Sequence, residues 1–294
     1  MIQKPDWYFG RYRPTFRQNI LEEIFMIIIG EKINGTIPVV KKAIEARDVA
    51  FIQKRAIDQA EAGASFIDVC ASVDAEREKE VLTWLINIVQ DVTDVPLAID
   101  SPNEDLLAEI YTLAKRPGLF NSVNEEGTKC ETIFPLMTGN EWEVIGLTCD
   151  KEHGIPMDVE TKVDIAKRII DKGAKYGVEP HRIHIDPAVM ALATAPEAMK
   201  NFEQCIMKIK QYAPTVKITG AISNISYEMP VRKIINQACM TMAIRAGLDS
   251  AIMDPLDREM MSMIYAAEAL SGKDKSGRKY NMAYRKGKIG PIKK

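Results

Sequence analysis

Histidine and cysteine, the residues that most often build metal sites and disulfide frameworks, are scarce in this sequence. Three histidines and five cysteines occur among 294 residues. The cysteines are odd in number and scattered, and no two form a CxxC pair; they are Cys70, Cys130, Cys149, Cys205 and Cys239. We therefore expect no disulfide framework, no zinc site and no protein-bound metal. The same pattern favours a reducing cytoplasm.

Long apolar runs and a strong excess of either charge are also missing. No run of about 18 apolar residues occurs, which argues against a membrane-spanning helix. Residues 1–25 lack the continuous apolar stretch of a signal peptide. The formal net charge is -2, so the composition gives no reason to expect nucleic acid as a partner.

Basic residues are concentrated at the C-terminal end of the chain. Residues 273–294 contain nine lysines and arginines and a single acid, Asp274. Because this segment is rich in glycine and lysine and has few apolar residues, we expect a solvated or disordered basic tail. At the other end, residues 1–25 form an N-terminal extension outside the regular pattern of the chain.

The main body of the sequence alternates short apolar runs with longer amphipathic stretches. Eight runs are strand candidates with little alternation of polar and apolar residues, as in strands covered on both faces. They are residues 26–30, 66–70, 97–100, 119–123, 144–148, 183–186, 216–222 and 251–254. The stretches between them repeat apolar residues at helical spacing, as in 48–62 and 159–176.

This alternation predicts parallel strands joined by crossover helices. Gly63, Gly177 and Gly247 each follow a helical stretch, at the position where a left-handed residue closes a helix. Eight such units favour a single-domain (β/α)8 TIM barrel over residues 26–272, and the chain length is typical of that fold. An open doubly wound sheet shares the same local pattern.

Polar residues end many of the apolar runs, and in barrels of this type the chemistry lies at the carboxyl ends of the strands. The set comprises Asp68, Asp100, Asn121, Asn124, Asp186, Asn224 and Asp254. A helix N-cap or a turn explains each residue alone. Together they exceed what capping requires, so we predict a site of carboxylates and amides at one barrel mouth.

A site of acids and amides fits a ligand with neutral donors and acceptors better than it fits a phosphate. The 2-amino-4-oxo pyrimidine edge of a pterin is such a ligand. Its ring N–H and exocyclic amine form a parallel donor pair that one carboxylate can accept. Lys217 and Arg232, near the seventh strand, are candidates for contact with the glutamate tail of a folate.

Seven short strings carry a resemblance to a known family. In chain order they are GEKING (30–35), GASFIDVCA (63–71), LAIDS (97–101), FNSVN (120–124), IGLT (145–148), HIDP (184–187) and AISNIS (221–226). Together they resemble the pterin-binding methyltransferases that act between methyltetrahydrofolate and corrinoid proteins. That group includes the folate domain of cobalamin-dependent methionine synthase. The resemblance runs from about residue 26 to residue 272.

The resemblance implies roles for particular residues. Asp100, Asn121 and Asp186 would hold the pterin, with Asp186 accepting from the ring N–H and the 2-amino group. Asn224 would lie beside N5 of the folate. Relatives often carry asparagine two residues beyond the aspartate of the second strand, where this chain has Cys70, so Asp68 is a supporting candidate only.

The implied reaction moves a methyl group between N5 of tetrahydrofolate and the cobalt of a corrinoid (cobalamin-type) cofactor. Because N5 is a poor leaving group, it needs a proton or a strong hydrogen bond as its bond to carbon breaks, and the amide of Asn224 can supply one. The corrinoid would be carried by a partner protein that docks over the mouth. The resemblance also implies a homodimer, while the direction of transfer stays open.

Two alternative functions remain at this stage. A dihydropteroate synthase would share the fold and the pterin pocket, but it must also hold a diphosphate leaving group. After the seventh and eighth strands this sequence offers only Arg232 and Arg258 for that purpose. A non-catalytic folate-binding protein would need Asp100, Asn121 and Asp186 but not Asn224.

Overall fold

The computed structural model describes residues 26–291, so the N-terminal extension predicted for residues 1–25 lies outside the described residues. Eight parallel strands form one sheet. They are β1 (Ile27–Asn34), β2 (Phe66–Cys70), β3 (Leu97–Asp100), β4 (Leu119–Glu125), β5 (Glu143–Asp150), β6 (Ile183–Asp186), β7 (Lys217–Ile218) and β8 (Ser250–Met253). Their spatial order is β7-β6-β5-β4-β3-β2-β1-β8. Each strand therefore lies beside its neighbour in the chain, as in a barrel.

The remaining seam, between β7 and β8, is bridged by backbone hydrogen bonds. Asp249 N donates to Ile218 O over 3.0 Å, and Ile252 N donates to Gly220 O over 3.2 Å. The sheet is thus nearly closed, and the prediction of a single-domain (β/α)8 barrel is confirmed. The alternative, an open doubly wound sheet, is not what this chain forms.

Helices cover the outside of the barrel. They are α1 (Pro38–Glu45), α2 (Val49–Ala62), α3 (Ala75–Gln90), α4 (Glu104–Ile110), α5 (Lys129–Ile133), α6 (Val159–Lys175), α7 (Ala198–Tyr212), α8 (Arg232–Ala246), α9 (Arg258–Leu270) and α10 (Arg278–Arg285). Side chains cap several starts; the Asp48 carboxylate accepts from Phe51 N over 3.0 Å, and that of Asp158 accepts from Thr161 N over 2.8 Å. None of the helices within residues 26–291 is both long and apolar enough to cross a membrane.

The strands bury apolar residues on both faces, which explains their lack of alternation. The outward residues and the helices share one large core. A separate inner cluster fills the barrel and consists of Ile29, Phe66, Ala98, Leu119 and Ile145. Because side chains alternate between the two faces of a strand, residues two positions beyond this cluster also face the interior, one layer nearer the carboxyl end.

The seventh strand is shorter than the sequence predicts. We expected it over residues 216–222, but only Lys217–Ile218 pairs as a strand, and Ile222–Ser226 forms a 3-10 helix. Gly220, which weakens a strand interior because it has no side chain to pack, lies between the two. The segment that carries Asn224 is therefore a short helix above β7.

The C-terminal segment also differs from the expected solvated tail. Residues 278–285 form α10, and the Asp274 carboxylate accepts from Lys279 N over 3.0 Å and from Tyr280 N over 2.9 Å. Ala283 and Ile289 pack with Tyr265 of α9 in a small buried cluster. Ala283, Ile289 and the capping acid Asp274 thus dock residues 273–291 on the barrel. Composition alone did not indicate this docking.

Candidate active site

Three of the predicted site residues lie on the neighbouring strands β2, β3 and β4, towards the carboxyl end of the barrel. Asp100 pairs in register with Cys70 of β2 on one side and with Asn121 of β4 on the other. Asp68, Asp100 and Asn121 each follow a member of the inner cluster by two residues, so they face the interior at the carboxyl end. The Asn121 amide donates from Nδ2 to Asp68 Oδ1 over 3.0 Å. We call Asp68, Asp100 and Asn121 the acidic cluster.

The acidic cluster has little positive charge to compensate it. Burial raises the pKa of Asp68 well above its usual value, and the charge of Asp100 raises it further. Burial likewise raises the pKa of Asp100 to about 6, and nearby Glu78 adds to that shift. A ligand that offers N–H donors would stabilise the ionised form of both carboxyl groups.

Asp186 lies across the mouth at the end of β6 and is buried. Its Oδ1 accepts from the backbone N–H of Ala188 over 2.8 Å. Burial raises the pKa of Asp186 to about 6, although that hydrogen bond and the charge of Lys162 act in the opposite direction. Ala188 has a φ of 54°, in the left-handed region that a residue with a side chain rarely adopts.

Asn224 lies beside the loop that follows β6. Leu192 N donates to Ile225 O over 3.0 Å, which joins that loop to the 3-10 helix of Asn224. Asn224 also lines a cavity of about 390 Å³ together with Ala188, Val189, Met190, Tyr227 and Glu228, among others. The Asn224 amide is exposed and makes no hydrogen bond to any side chain or backbone group in residues 26–291, so it can donate to a ligand or accept from one.

Two further polar residues of the sequence-derived set take other roles. The Asn124 amide accepts from Glu126 N over 3.0 Å and donates to Glu126 Oε2 over 2.9 Å, so it shapes its own turn. Asp254 forms an ion pair with Lys32 over 3.0 Å at the end of β8. Lys217, a candidate for the folate tail, instead bonds to Glu143 at the opposite end of the barrel.

Sequence reasoning missed two residues near the mouth. Glu31 of β1 lies two residues beyond Ile29 of the inner cluster, and burial raises its pKa. Lys162 of α6 is a buried cation whose charge acts on Asp186. Strand parity within GEKING would have identified Glu31, and a lysine at an apolar position of an amphipathic helix would have identified Lys162.

The mouth contains mainly carboxylates and amides. No group of three or more His, Cys, Asp or Glu side chains in residues 26–291 is placed to hold a metal ion. Carboxylates and amides can exchange hydrogen bonds and protons with a bound heterocycle.

Comparison with known proteins identifies the family. A family model described as pterin binding enzyme matches residues 33–254. A methylcorrinoid:tetrahydrofolate methyltransferase of Eubacterium limosum is 50% identical over 269 residues, which are 91% of this chain and 99% of the relative. A methionine synthase of Mycobacterium leprae (strain TN) is 30% identical over 241 residues, 77% of this chain and 20% of that longer protein.

Solved structures share the fold at low sequence identity. A dihydropteroate synthase of Clostridium difficile, crystallised in the presence of pteroic acid, superposes with a TM-score of 0.65 at 17% identity and covers 85% of this chain and 97% of its own. A dihydropteroate synthase of Xanthomonas albilineans in complex with 7,8-dihydropteroate gives 0.60 at 18% identity, covering 83% and 92%. With the family model and the 50% identical relative, these findings establish that the chain belongs to the pterin binding enzyme family.

Proposed function

We propose that this chain is a methyltransferase that moves a methyl group between N5 of tetrahydrofolate and the cobalt of a corrinoid carried by a partner protein. The observation that carries the proposal is the collection of Asp68, Asp100, Asn121 and Asp186 at one mouth, where they match the donors and acceptors of a pterin. The 50% identical relative, which spans nearly the same length, is a methylcorrinoid:tetrahydrofolate methyltransferase.

In this proposal the two sides of the mouth divide the recognition of the pterin. Asp186 accepts from the ring N–H and the 2-amino group, because it is a buried carboxylate with only one hydrogen bond from its own loop. Asp100 and Asn121, supported by Asp68, bind the remaining polar edge of the ring system. When the pterin displaces water from these side chains, its N–H groups must replace the lost hydrogen bonds, because a buried polar group without a partner is costly.

Asn224 would act on N5. An amide can donate to neutral N5 through its NH2 group or accept from protonated N5 through its oxygen, so one side chain serves both directions of transfer. Its exposure and its lack of a partner in residues 26–291 leave both modes open. The corrinoid supplies or accepts the methyl group at cobalt, and the protein orients the folate and controls the proton at N5.

The partner would dock over the mouth, because cobalt must come within bonding distance of the methyl carbon. Apolar side chains on the loops around the cavity of Asn224 are exposed: Ile155 by 44%, Met157 by 49% and Tyr227 by 60%. Exposed apolar groups at the rim of a site are typical of a surface that another protein covers. They support a transient interface at this rim.

The chain would also pair with a second copy of itself. The outer face of α8 exposes Ile234 and Met242, eight residues apart, and neighbouring Val231 and Leu270 of α9 are also exposed. Met242 and Leu270 lie towards the carboxyl ends of their helices, away from the mouth, so pairing through them would leave the site accessible. The free thiols of all five cysteines are consistent with the proposed cytoplasmic location.

Two observations favour methyl transfer over dihydropteroate synthesis. The 50% identical relative is a methyltransferase, whereas the synthases match at 17% and 18% identity. The two arginines considered for a diphosphate also each donate to a backbone carbonyl. Arg232 donates to Ser223 O over 2.8 Å, and Arg258 donates to Gly290 O over 3.0 Å.

The test mixes the purified chain with methyltetrahydrofolate and reduced free cobalamin and follows the cobalt absorption spectrum. The reverse reaction uses methylcobalamin and tetrahydrofolate. We expect an enzyme-dependent spectral change in at least one direction. Folate binding without any spectral change would favour a carrier, and formation of dihydropteroate from a pterin diphosphate and p-aminobenzoate would favour the synthase.

A further inference from the structure

Lys162 is a buried cation at the mouth that the proposed mechanism does not use. It belongs to α6, and only 3% of its surface is exposed. Its ammonium group donates from Nζ to the carbonyl oxygen of Ala188 over 2.8 Å. Burying an ammonium group is costly unless it is paired. A lysine on the buried face of this helix therefore indicates a specific structural role.

The contacts of Lys162 lead directly to Asp186. Ala188 N donates to Asp186 Oδ1, and Ala188 O accepts from Lys162, so both peptide groups that flank Ala188 are held. Ala188 has a positive φ of 54°. An alanine stays in this conformation only where its surroundings hold it there. Lys162 therefore fixes the loop that orients the Asp186 carboxylate.

The charged and titratable groups around Lys162 come from three elements. Asp186 of β6 and Cys205 of α7 act on it, together with Asp158 at the start of α6. Burial raises the pKa of the Cys205 thiol to about 11, so this thiol is neutral at physiological pH. The Asp158 carboxylate accepts from Thr161 N as a helix cap and is exposed. Asp186 is therefore the buried carboxylate whose ionised form Lys162 favours.

We propose that Lys162 is a positioning residue of the pterin site, which holds the Ala188 loop in the conformation that orients the Asp186 carboxylate for folate. This inference rests on the proposed function, since it assigns Asp186 to the pterin. Lys162 acts through Ala188 and Asp186 and touches neither the folate nor the reacting atoms. Its loss would therefore affect folate affinity more than the rate of the bound complex.

The variant Lys162→Met tests this role, because methionine keeps the length of the stem and removes the ammonium group. Lys172→Met is the matched control on the same helix. Lys172 is paired with Glu125 and Glu131, each over 2.9 Å, and has no contact with the Ala188 loop. Circular dichroism and thermal unfolding establish that both variants fold.

We expect Lys162→Met to weaken the binding of methyltetrahydrofolate by roughly tenfold to a hundredfold, the effect of losing a charged hydrogen bond. The control should change affinity by less than about twofold. The pH profile of binding should also differ. Wild-type affinity should fall as the pH drops through about 6, because burial raises the pKa of Asp186 to about that value. This midpoint should move to higher pH in Lys162→Met because the nearby cation is gone.

A ligand-free measurement separates failure of this inference from failure of the proposed function. The carboxyl 13C resonance of Asp186, assigned by its loss in Asp186→Asn, is titrated by NMR in wild type, Lys162→Met and Lys172→Met. An upward shift of the pKa in Lys162→Met alone supports the coupling even if the chain binds no folate. An unchanged pKa and an affinity equal to that of the control would overturn the role of Lys162.

Discussion

The two ends of the barrel interior both contain buried polar side chains, but they treat charge in opposite ways. At the amino end of the strands, His184 Nε2 lies 2.5 Å from Glu143 Oε2, and Lys217 donates to the same carboxylate. His184 Nδ1 lies 2.7 Å from Ser250 Oγ. We call Glu143, His184, Lys217 and Ser250 the basal network. At the carboxyl end, the acidic cluster and Asp186 gather carboxyl groups with few cations.

The ionisation of the two layers follows from these contacts. Although burial opposes it, the hydrogen bond from His184 and the charge of Lys217 lower the pKa of Glu143 to about 2. At the mouth, burial raises the pKa of Asp100 and of Asp186 to about 6. The basal network is satisfied by its own members, whereas the mouth requires donors from a ligand. A polar layer whose side chains bond to one another thus has a structural role, whereas one that needs donors from a ligand has a binding role.

The largest effect should follow from removing the amide at N5. We expect Asn224→Ala to reduce the rate of methyl transfer roughly 100-fold or more, since proton transfer by a positioned group contributes that much. Folate affinity should change far less, because the pterin is held by other residues. Stopped-flow absorption of cobalt gives the rate, and calorimetry gives the affinity.

Asn124→Ala is the matched control for that variant. Within residues 26–291 the side-chain amide of Asn124 bonds only to Glu126 of its own turn, so we expect near wild-type transfer. Equal losses of rate and affinity in Asn224→Ala would contradict the role assigned to Asn224.

The next largest effect concerns folate binding. Asp186→Ala should weaken it roughly 100-fold, because it leaves the pterin donors without a buried acceptor. Asp150→Ala is the control: Asp150 is also a buried aspartate at a strand end, but it is paired with Arg168 over 2.6 Å. That variant should lose stability and keep its affinity for folate. Comparable affinities of the two variants in calorimetry would contradict our interpretation of the mouth.

A variant in the basal network should have the opposite profile. Glu143→Gln leaves Lys217 without its half-buried, charged partner, and we expect the free energy of unfolding to fall by about 2 kcal/mol with little change in folate affinity. Asp68→Asn, at the mouth, should not lower stability, because burial already disfavours the charge of Asp68. Urea unfolding measures both. A loss of folate affinity in Glu143→Gln at unchanged stability would contradict the distinction between the basal network and the mouth.

The smallest effect is the pH dependence of stability without ligand. The folded-state pKa of Asp100 lies above its ordinary value of 3.8, at about 6. The protonated form is therefore favoured by folding, and this contribution is present below about pH 4 and lost as the pH rises through 6. Asp100→Asn should flatten this loss in urea unfolding across that range. Glu143 contributes in the opposite sense, with stability that is lost as the pH falls from 4.5 towards 2.

Sequence reasoning reached much of this fold because the signals are local. The bounds predicted for β2, β3 and β6 match the structure, since each is a short, largely apolar run. The length of β7 was overestimated because a 3-10 helix continues the same apolar pattern beyond Gly220. The docking of α10 depends on a distant tyrosine, Tyr265, which the composition of a basic segment does not reveal.

The candidate site divides in the same way. The carboxyl groups at the strand ends were predictable, because chain order and the parity of strands bring them to one mouth. Lys162 was not, since it comes from a covering helix and reaches the site through the backbone of Ala188. Lys217 was placed at the wrong end because its position at the start of β7, rather than beyond the end of that strand, decides where it lies.

The docked C-terminal helix has a practical consequence for anyone who shortens this protein. Cutting the chain after Gly272, where the barrel pattern ends, would remove Asp274 and strip Ala283 and Ile289 from Tyr265. The shortened protein would then carry a bare aromatic surface on α9 and would be prone to self-association during purification. Truncations intended for crystallography should therefore retain the chain through at least residue 291.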